Sequence, residues 1–140
     1  MSVVLGYDES PGAQSALRVA IEVAAAYGEP LVIVYGAAAP GVTGDEYTAH
    51  HRAVREAGST VLGHAVRVAD EAGVPSTVEL IDQRPAQALI DAAARHDGRV
   101  IVVGTWGESP VRGALLGSTP HKLLHLSNIP VLCVPATAES

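Results

Sequence analysis

Five short apolar runs, separated by stretches of helical periodicity, set the tightest limit on what this chain can fold into. They are Val3-Val4-Leu5, Leu31 to Tyr35, Thr77 to Ile81, Val100 to Val103 and Val131 to Val134. A continuous apolar run is the pattern of a strand covered on both faces, whereas a half-covered strand alternates. Between the first two runs, Ala13, Ala16, Leu17, Ala20, Ala24 and Tyr27 recur at helical spacing. Ser10-Pro11 stands as a cap before them, and Gly28 as a stop after them. Thr43-Gly44-Asp45-Glu46 reads as a capping box, opening a second helix to about Ala72. Its inward stripe is Val54, Gly58, Val61, Ala65, Val68 and Ala72. Gly58 and Gly63 each cost that helix about 1 kcal/mol against Ala, and mark either close packing or a kink. Pro85 starts a third helix with Ala86, Leu89, Ile90 and Ala93 inward, and a fourth falls near residues 120–127, closed by Asn128. Strands alternating with helices need crossover connections and so give an α/β fold with a parallel sheet. The third run is the most polar, which assigns it to an edge.

Composition narrows the classes further. At 140 residues the chain reads as a single domain, 1–140, and its 48% hydrophobic content supports a real core. That content is mostly Ala, Val and Leu, with no Phe and one Trp, which suits helices packed closely on a sheet. The net charge of −6 argues against nucleic acid or an anionic membrane as partner. The lone Cys133 excludes an internal disulfide framework and fits a reducing compartment. There is no basic leader and no apolar run near the ~20 residues a bilayer span needs. The expectation is a cytoplasmic protein.

One stretch carries chemistry. Gly104-Thr105-Trp106-Gly107, nine residues, then Gly117-Ser118-Thr119-Pro120 follows the most strand-like run and ends where a helix should begin. Thr119 reads as the N-cap, with Pro120 in the first turn. Glycine brings backbone amides close to a ligand, and a helix start adds unpaired N–H donors with a partial positive charge. The stretch therefore reads as a phosphate cradle, or as an ordinary turn built from the same residues. Asp8 lies at the end of the first strand, and if that strand neighbours the fourth, Asp8 and Gly104 share one crevice. A carboxylate there can hold ribose hydroxyls or a divalent cation, or simply cap a turn.

Several known nucleotide patterns are absent. Gly6-Tyr7-Asp8-Glu9-Ser10 does not match the dinucleotide fingerprint, and a Walker loop needs Lys where Gly117 stands. Asp82 is a poor stand-in for a phosphorylatable aspartate, with no supporting Lys after the fourth or fifth strand. The chain does resemble the universal stress protein family over nearly its whole length. The motif is G-x2-G-x9-G-[ST], met by Gly104, Gly107, Gly117 and Ser118. Asp8 in its setting and Asn128-Ile129-Pro130-Val131-Leu132-Cys133-Val134 support it.

The resemblance implies an open five-stranded parallel sheet of order 3-2-1-4-5, helices on both faces, and a homodimer joined through the last strand. It implies ATP contacts from Gly104, Gly107, Gly117, Ser118 and Thr119 to phosphates and ribose. Asp8 would sit at the ribose or at Mg2+, the backbone at Gly36 would read the adenine edge, and Val103 would line the base or ribose wall. Trp106 and Glu108 depart from the small or basic residues common in this loop, so Glu108 should face solvent or a cation. The functional expectation is an ATP-binding, dimeric stress sensor or regulator. A slow ATPase or nucleotidyl-transfer enzyme is the alternative, weakened by the lack of a loop lysine and of a placed base. A structural dimer that binds no nucleotide is the third.

Other residues read more plainly. Arg112, inside the spacer, is a solvated loop residue or a phosphate contact. Trp106 stacks on a ligand or packs on a neighbour. His121 and His125 have two-ligand helical spacing but lack the glutamate of a metalloprotease helix, and read as surface or interface residues. His50 and His51 read as exposed, Cys133 as a core residue, and the end from Ala136 as frayed.

Overall fold

The first apolar run becomes the central strand of a sheet, and its burial explains its composition. In a computed structural model, Ser2–Gly6 (β1) lies hydrogen-bonded between Leu31–Gly36 (β2) and Gly98–Gly104 (β4), with Ser76–Ile81 (β3) and Val131–Val134 (β5) at the edges. The order is β3-β2-β1-β4-β5, and every pairing is parallel. Four helices connect the strands: Pro11–Tyr27 (α1), Asp45–Glu71 (α2), Pro85–Arg95 (α3) and Ser118–Leu126 (α4). The structure describes residues 1–8, 11–36, 45–81, 83–105 and 117–136; in α2 it describes side chains at Glu56 and from Ser59 onward.

Val3, Val4 and Leu5 are fully buried, because successive side chains enter different cores. Val3, Leu5, Leu31, Ile33 and Val102 pack with α1 and the second half of α2. Val4, Val32, Val34, Ile101 and Val103 pack with α3 and with Leu123 of α4. Two steps in one direction, β1 to β2 to β3, put α1 and α2 on one face. The return to β4 and on to β5 puts α3 and α4 on the other, as right-handed crossovers require. The direction therefore reverses between β1 and β4.

Several local expectations are corrected. Tyr27 ends α1 at 58% exposure instead of facing inward. Its ring instead lies under the Arg99 guanidinium, 4.1 Å from centroid to Cζ, and Arg99 Nε donates to both oxygens of Glu29 at 2.8 and 3.0 Å. In α2, Leu62, Ala65 and Ala69 are buried, while Val61 and Val68 are half-buried. Ala72 is exposed because the helix has already ended at Glu71, and Val74 takes the buried position beyond Gly73, whose φ of 76° closes the turn. Gly63 is exposed with open space around it, so it serves no close packing. Helix α4 is capped by Gly117, not Thr119, and ends at Ser127, not Asn128. The Ser127 hydroxyl donates to the Ile129 carbonyl and accepts from its amide, which fixes the turn into β5. Val54, Gly58, His50 and His51 fall where side chains lie outside the description, and residues 137–140 lie outside it altogether.

Candidate functional site

All five strands point the same way, so their carboxyl ends share one edge, and the reversal between β1 and β4 opens a crevice there. The Tyr7 amide donates to the Val34 carbonyl at 3.0 Å, carrying β1 one residue further along β2. Asp8 follows it, half-buried, at the reversal point. β4 runs alongside, with Leu5 opposite Val102, so Gly104 ends beside it. The expected neighbourhood of Asp8 and Gly104 follows from this pairing.

Glycines at this edge are there for helices to approach. A Cβ on Gly104 would stand 2.6 Å from the carbonyl carbon of Gly12 and 3.0 Å from the Ala13 nitrogen, both in the first turn of α1. On Gly36 it would stand 2.8 Å from Ala88 Cβ and 3.0 Å from Pro85 Cα, in α3. The starts of α1, α3 and α4 thus gather along the strand ends. Each brings amides without intrahelical partners and a partial positive charge.

The cradle itself is smaller than the motif suggests. Thr105 donates its amide to the Val134 carbonyl, and Gly117 donates its amide to the Thr105 carbonyl, both at 2.9 Å. Gly117 therefore clasps the two ends of the intervening loop, and its amide is occupied. A Cβ there would meet the Thr105 oxygen at 2.9 Å, which is why glycine suits the position. Hydrogen bonding in α4 begins with the His121 amide on the Gly117 carbonyl at 3.1 Å. Ser118, exposed, and Thr119, half-buried, occupy the first turn, ahead of any intrahelical donor bond. Gly107, Trp106, Glu108 and Arg112 lie outside the described residues. Val103 is 4% exposed, and its side chain belongs to the core beside Leu89 and Leu123.

Two polar groups at this edge escaped the reading of the sequence. Thr105 Oγ1, at the end of β4, and Gln83 Oε1, between β3 and α3, are buried and have no hydrogen-bond partner among the described residues. A buried polar atom left this way costs about 1–3 kcal/mol, so a ligand that supplies the partner recovers it. Gln83 sits against Gly36: its backbone oxygen is 3.3 Å from where a Cβ of that glycine would lie. Thr105 stands inside the glycine motif at one of its variable positions, and Gln83, a glutamine after a strand, reads as a solvated turn residue.

Among the described residues no group of three or more His, Cys, Asp or Glu is assembled to hold a metal ion, and no helix is long and apolar enough to cross a membrane. Cys133 is half-buried in β5, and burial pushes its thiol up, away from thiolate chemistry.

The model of the universal stress protein family matches residues 1–135. A universal stress protein of Thermus aquaticus is 34% identical over 139 residues, covering 95% of this chain and 97% of its own. The chain spans under half the length of other relatives it matches, such as Rv2005c of Mycobacterium tuberculosis, 29% identical over 136 residues that cover 93% of this chain and 44% of that one. Among solved structures, a universal stress protein from Archaeoglobus fulgidus in complex with dAMP superposes with a TM-score of 0.68 at 24% identity, covering 96% of this chain and 97% of that one. A family protein from Arabidopsis thaliana with AMP bound gives 0.70 at 15% identity, covering 99% and 94%.

Proposed function

The chain belongs to the universal stress protein family, and from that premise we propose that it binds ATP at the carboxyl edge of the sheet and acts as a dimeric regulator. The observation that carries this reading is the α4 start, Ser118-Thr119, held to the end of β4 by the Gly117–Thr105 hydrogen bond, at the sheet edge where strand order reverses. Phosphate would lie on the Ser118 and Thr119 amides, with Gly104, Gly107 and Gly117 of the motif as its further contacts. Adenine would lie towards Gly36, where Gln83 Oε1 can accept from an exocyclic amine. Nucleotide complexes of structural neighbours support the adenine assignment. Asp8 fits a Mg2+ ion, since this ion commonly takes one or two carboxylates with the remaining positions filled by phosphate and water.

For the dimer, β5 is an edge strand whose outer ladder groups face no other strand among the described residues, and Leu132 on it is 38% exposed. The Thr105–Val134 hydrogen bond ties the proposed phosphate loop to that strand, giving nucleotide and dimerisation a shared element.

Ser118→Asp separates site from scaffold. A carboxylate at a helix start stabilises the helix by about 0.3–1 kcal/mol, yet it repels phosphate. Calorimetric titration with Mg·ATP should show about one site per chain in the wild type and at least tenfold weaker binding in the variant, with thermal stability kept or raised. Equal affinity in both proteins would remove α4 from the site.

A further inference from the structure

We propose that His121 and His125 form a two-ligand site on α4 for a divalent first-row transition ion of the kind imidazole prefers, such as Zn2+. The residues are four apart on the helix, both are exposed, and their rings stand edge to face with centroids 4.8 Å apart and planes at 70°. That separation matches coordination. A metal about 2.0–2.1 Å from a ring nitrogen lies about 3.2 Å from the ring centre, so two imidazoles at about 90–110° on one ion have centres about 4.5–5.2 Å apart. The observed spacing falls inside that window. Neutral imidazole suits Zn2+, Ni2+ and Cu2+ and not Mg2+ or Ca2+, so this site is chemically distinct from a Mg2+ ion held by Asp8 and phosphate.

The helix supplies two further conditions. His125 is in the last turn, where the helix end carries partial negative charge and favours a bound cation. The spacing of the rings also exists only while the segment is helical, so an ion held by both stabilises α4 against unfolding. Among the described residues no cluster of three ligands forms, so the remaining positions of the ion are left to water or an incoming ligand. The other described histidines are placed differently: His96 faces Glu79 at 3.2 Å, and His64 stands on α2.

Zn2+ titration of the full chain by calorimetry, with His121→Gln, His125→Gln and His64→Gln, tests the assignment. One event near one ion per chain is expected in the wild type and in His64→Gln, with affinity at least tenfold weaker in each α4 variant. Zn2+ should raise the melting temperature of the wild type, EDTA should reverse the rise, and neither α4 variant should show it. In EDTA the two α4 variants should melt close to the wild type, since both rings are exposed. Unchanged affinity in either α4 variant would overturn the proposal, as would loss in His64→Gln or half an ion per chain, which would mean an ion shared between chains.

Discussion

Gly104→Ala and Gly63→Ala should move stability in opposite directions, and for stated reasons. Neither glycine has the positive φ that would make a side chain a conformational strain; among the described glycines only Gly28 and Gly73 do. The difference is what a methyl group meets. At Gly104 it would lie 2.6, 2.8 and 3.0 Å from the Gly12 carbonyl carbon, the Gly12 oxygen and the Ala13 nitrogen. These are backbone atoms, which cannot turn aside as a side chain does, so α1 must shift off the sheet. Overpacking of this kind costs about 1–3 kcal/mol. At Gly63 the methyl would meet nothing within 4 Å, and the helix gains the propensity difference of about 1 kcal/mol. For a domain of this size 1 kcal/mol corresponds to about 3–5 °C. Urea and thermal unfolding without nucleotide should therefore show Gly104→Ala melting about 3–15 °C lower and Gly63→Ala about 3–5 °C higher. A Gly104→Ala protein as stable as the wild type would refute the helix-packing account and leave ligand approach as the reason for that glycine.

Acid should weaken the fold in part through Glu29. Hydrogen bonds from Arg99 hold the Glu29 carboxyl below the usual carboxylate range. Its contribution is thus fully present above the ordinary value of about 4.3, and is lost as pH falls from there through the lowered folded-state value. Urea midpoints measured from pH 7 to pH 3 should show a gap between wild type and Glu29→Gln that closes towards the acid end; a constant gap would rule the linkage out. Gln83→Leu should leave the free protein as stable as before or more so, because an unpartnered buried acceptor is removed. It should also narrow the preference for ATP over inosine triphosphate by about tenfold, the worth of one hydrogen bond of about 1–1.5 kcal/mol. Calorimetry with both nucleotides reads this directly, and an unchanged ratio would move the adenine away from Gln83.

The parallel sheet was legible because burial on both faces demands uninterrupted apolar residues, and all five runs became strands. Strand order was not written in those runs; it came from the family resemblance that the glycine motif carries, since nothing in Val3-Val4-Leu5 says which strands flank it. Periodicity located α1 but misplaced Tyr27, because the pattern cannot tell a residue that packs on the sheet from one that caps the end and receives an arginine 70 positions away on its neighbour Glu29. In α2 the stripe was read partly on the wrong residues near its end: a helical wheel does not know that the chain turns at Gly73 and buries Val74 instead of Ala72. Ser-Thr before Pro120 announced a helix start correctly, yet the cap fell on Gly117, whose amide had to close the loop onto Thr105. Gly36 and Gly104 were read as backbone contacts for a nucleotide, and the structure adds a packing reason for both, since a Cβ there would meet α3 and α1. Gln83 and Thr105 were invisible as site candidates, since burial without a partner is a property of three-dimensional surroundings and not of residue type.

Amide chemical-shift mapping during titration of the 15N-labelled protein with Mg·ATP tests the central assignment most directly. The account predicts the largest perturbations at Ser118 and Thr119, with a second group at Gly104, Thr105, Asp8, Gly36 and Gln83, all at the carboxyl edge of the sheet. No perturbation at millimolar ATP, or one centred on the opposite edge around Glu29 and Arg99, would contradict it.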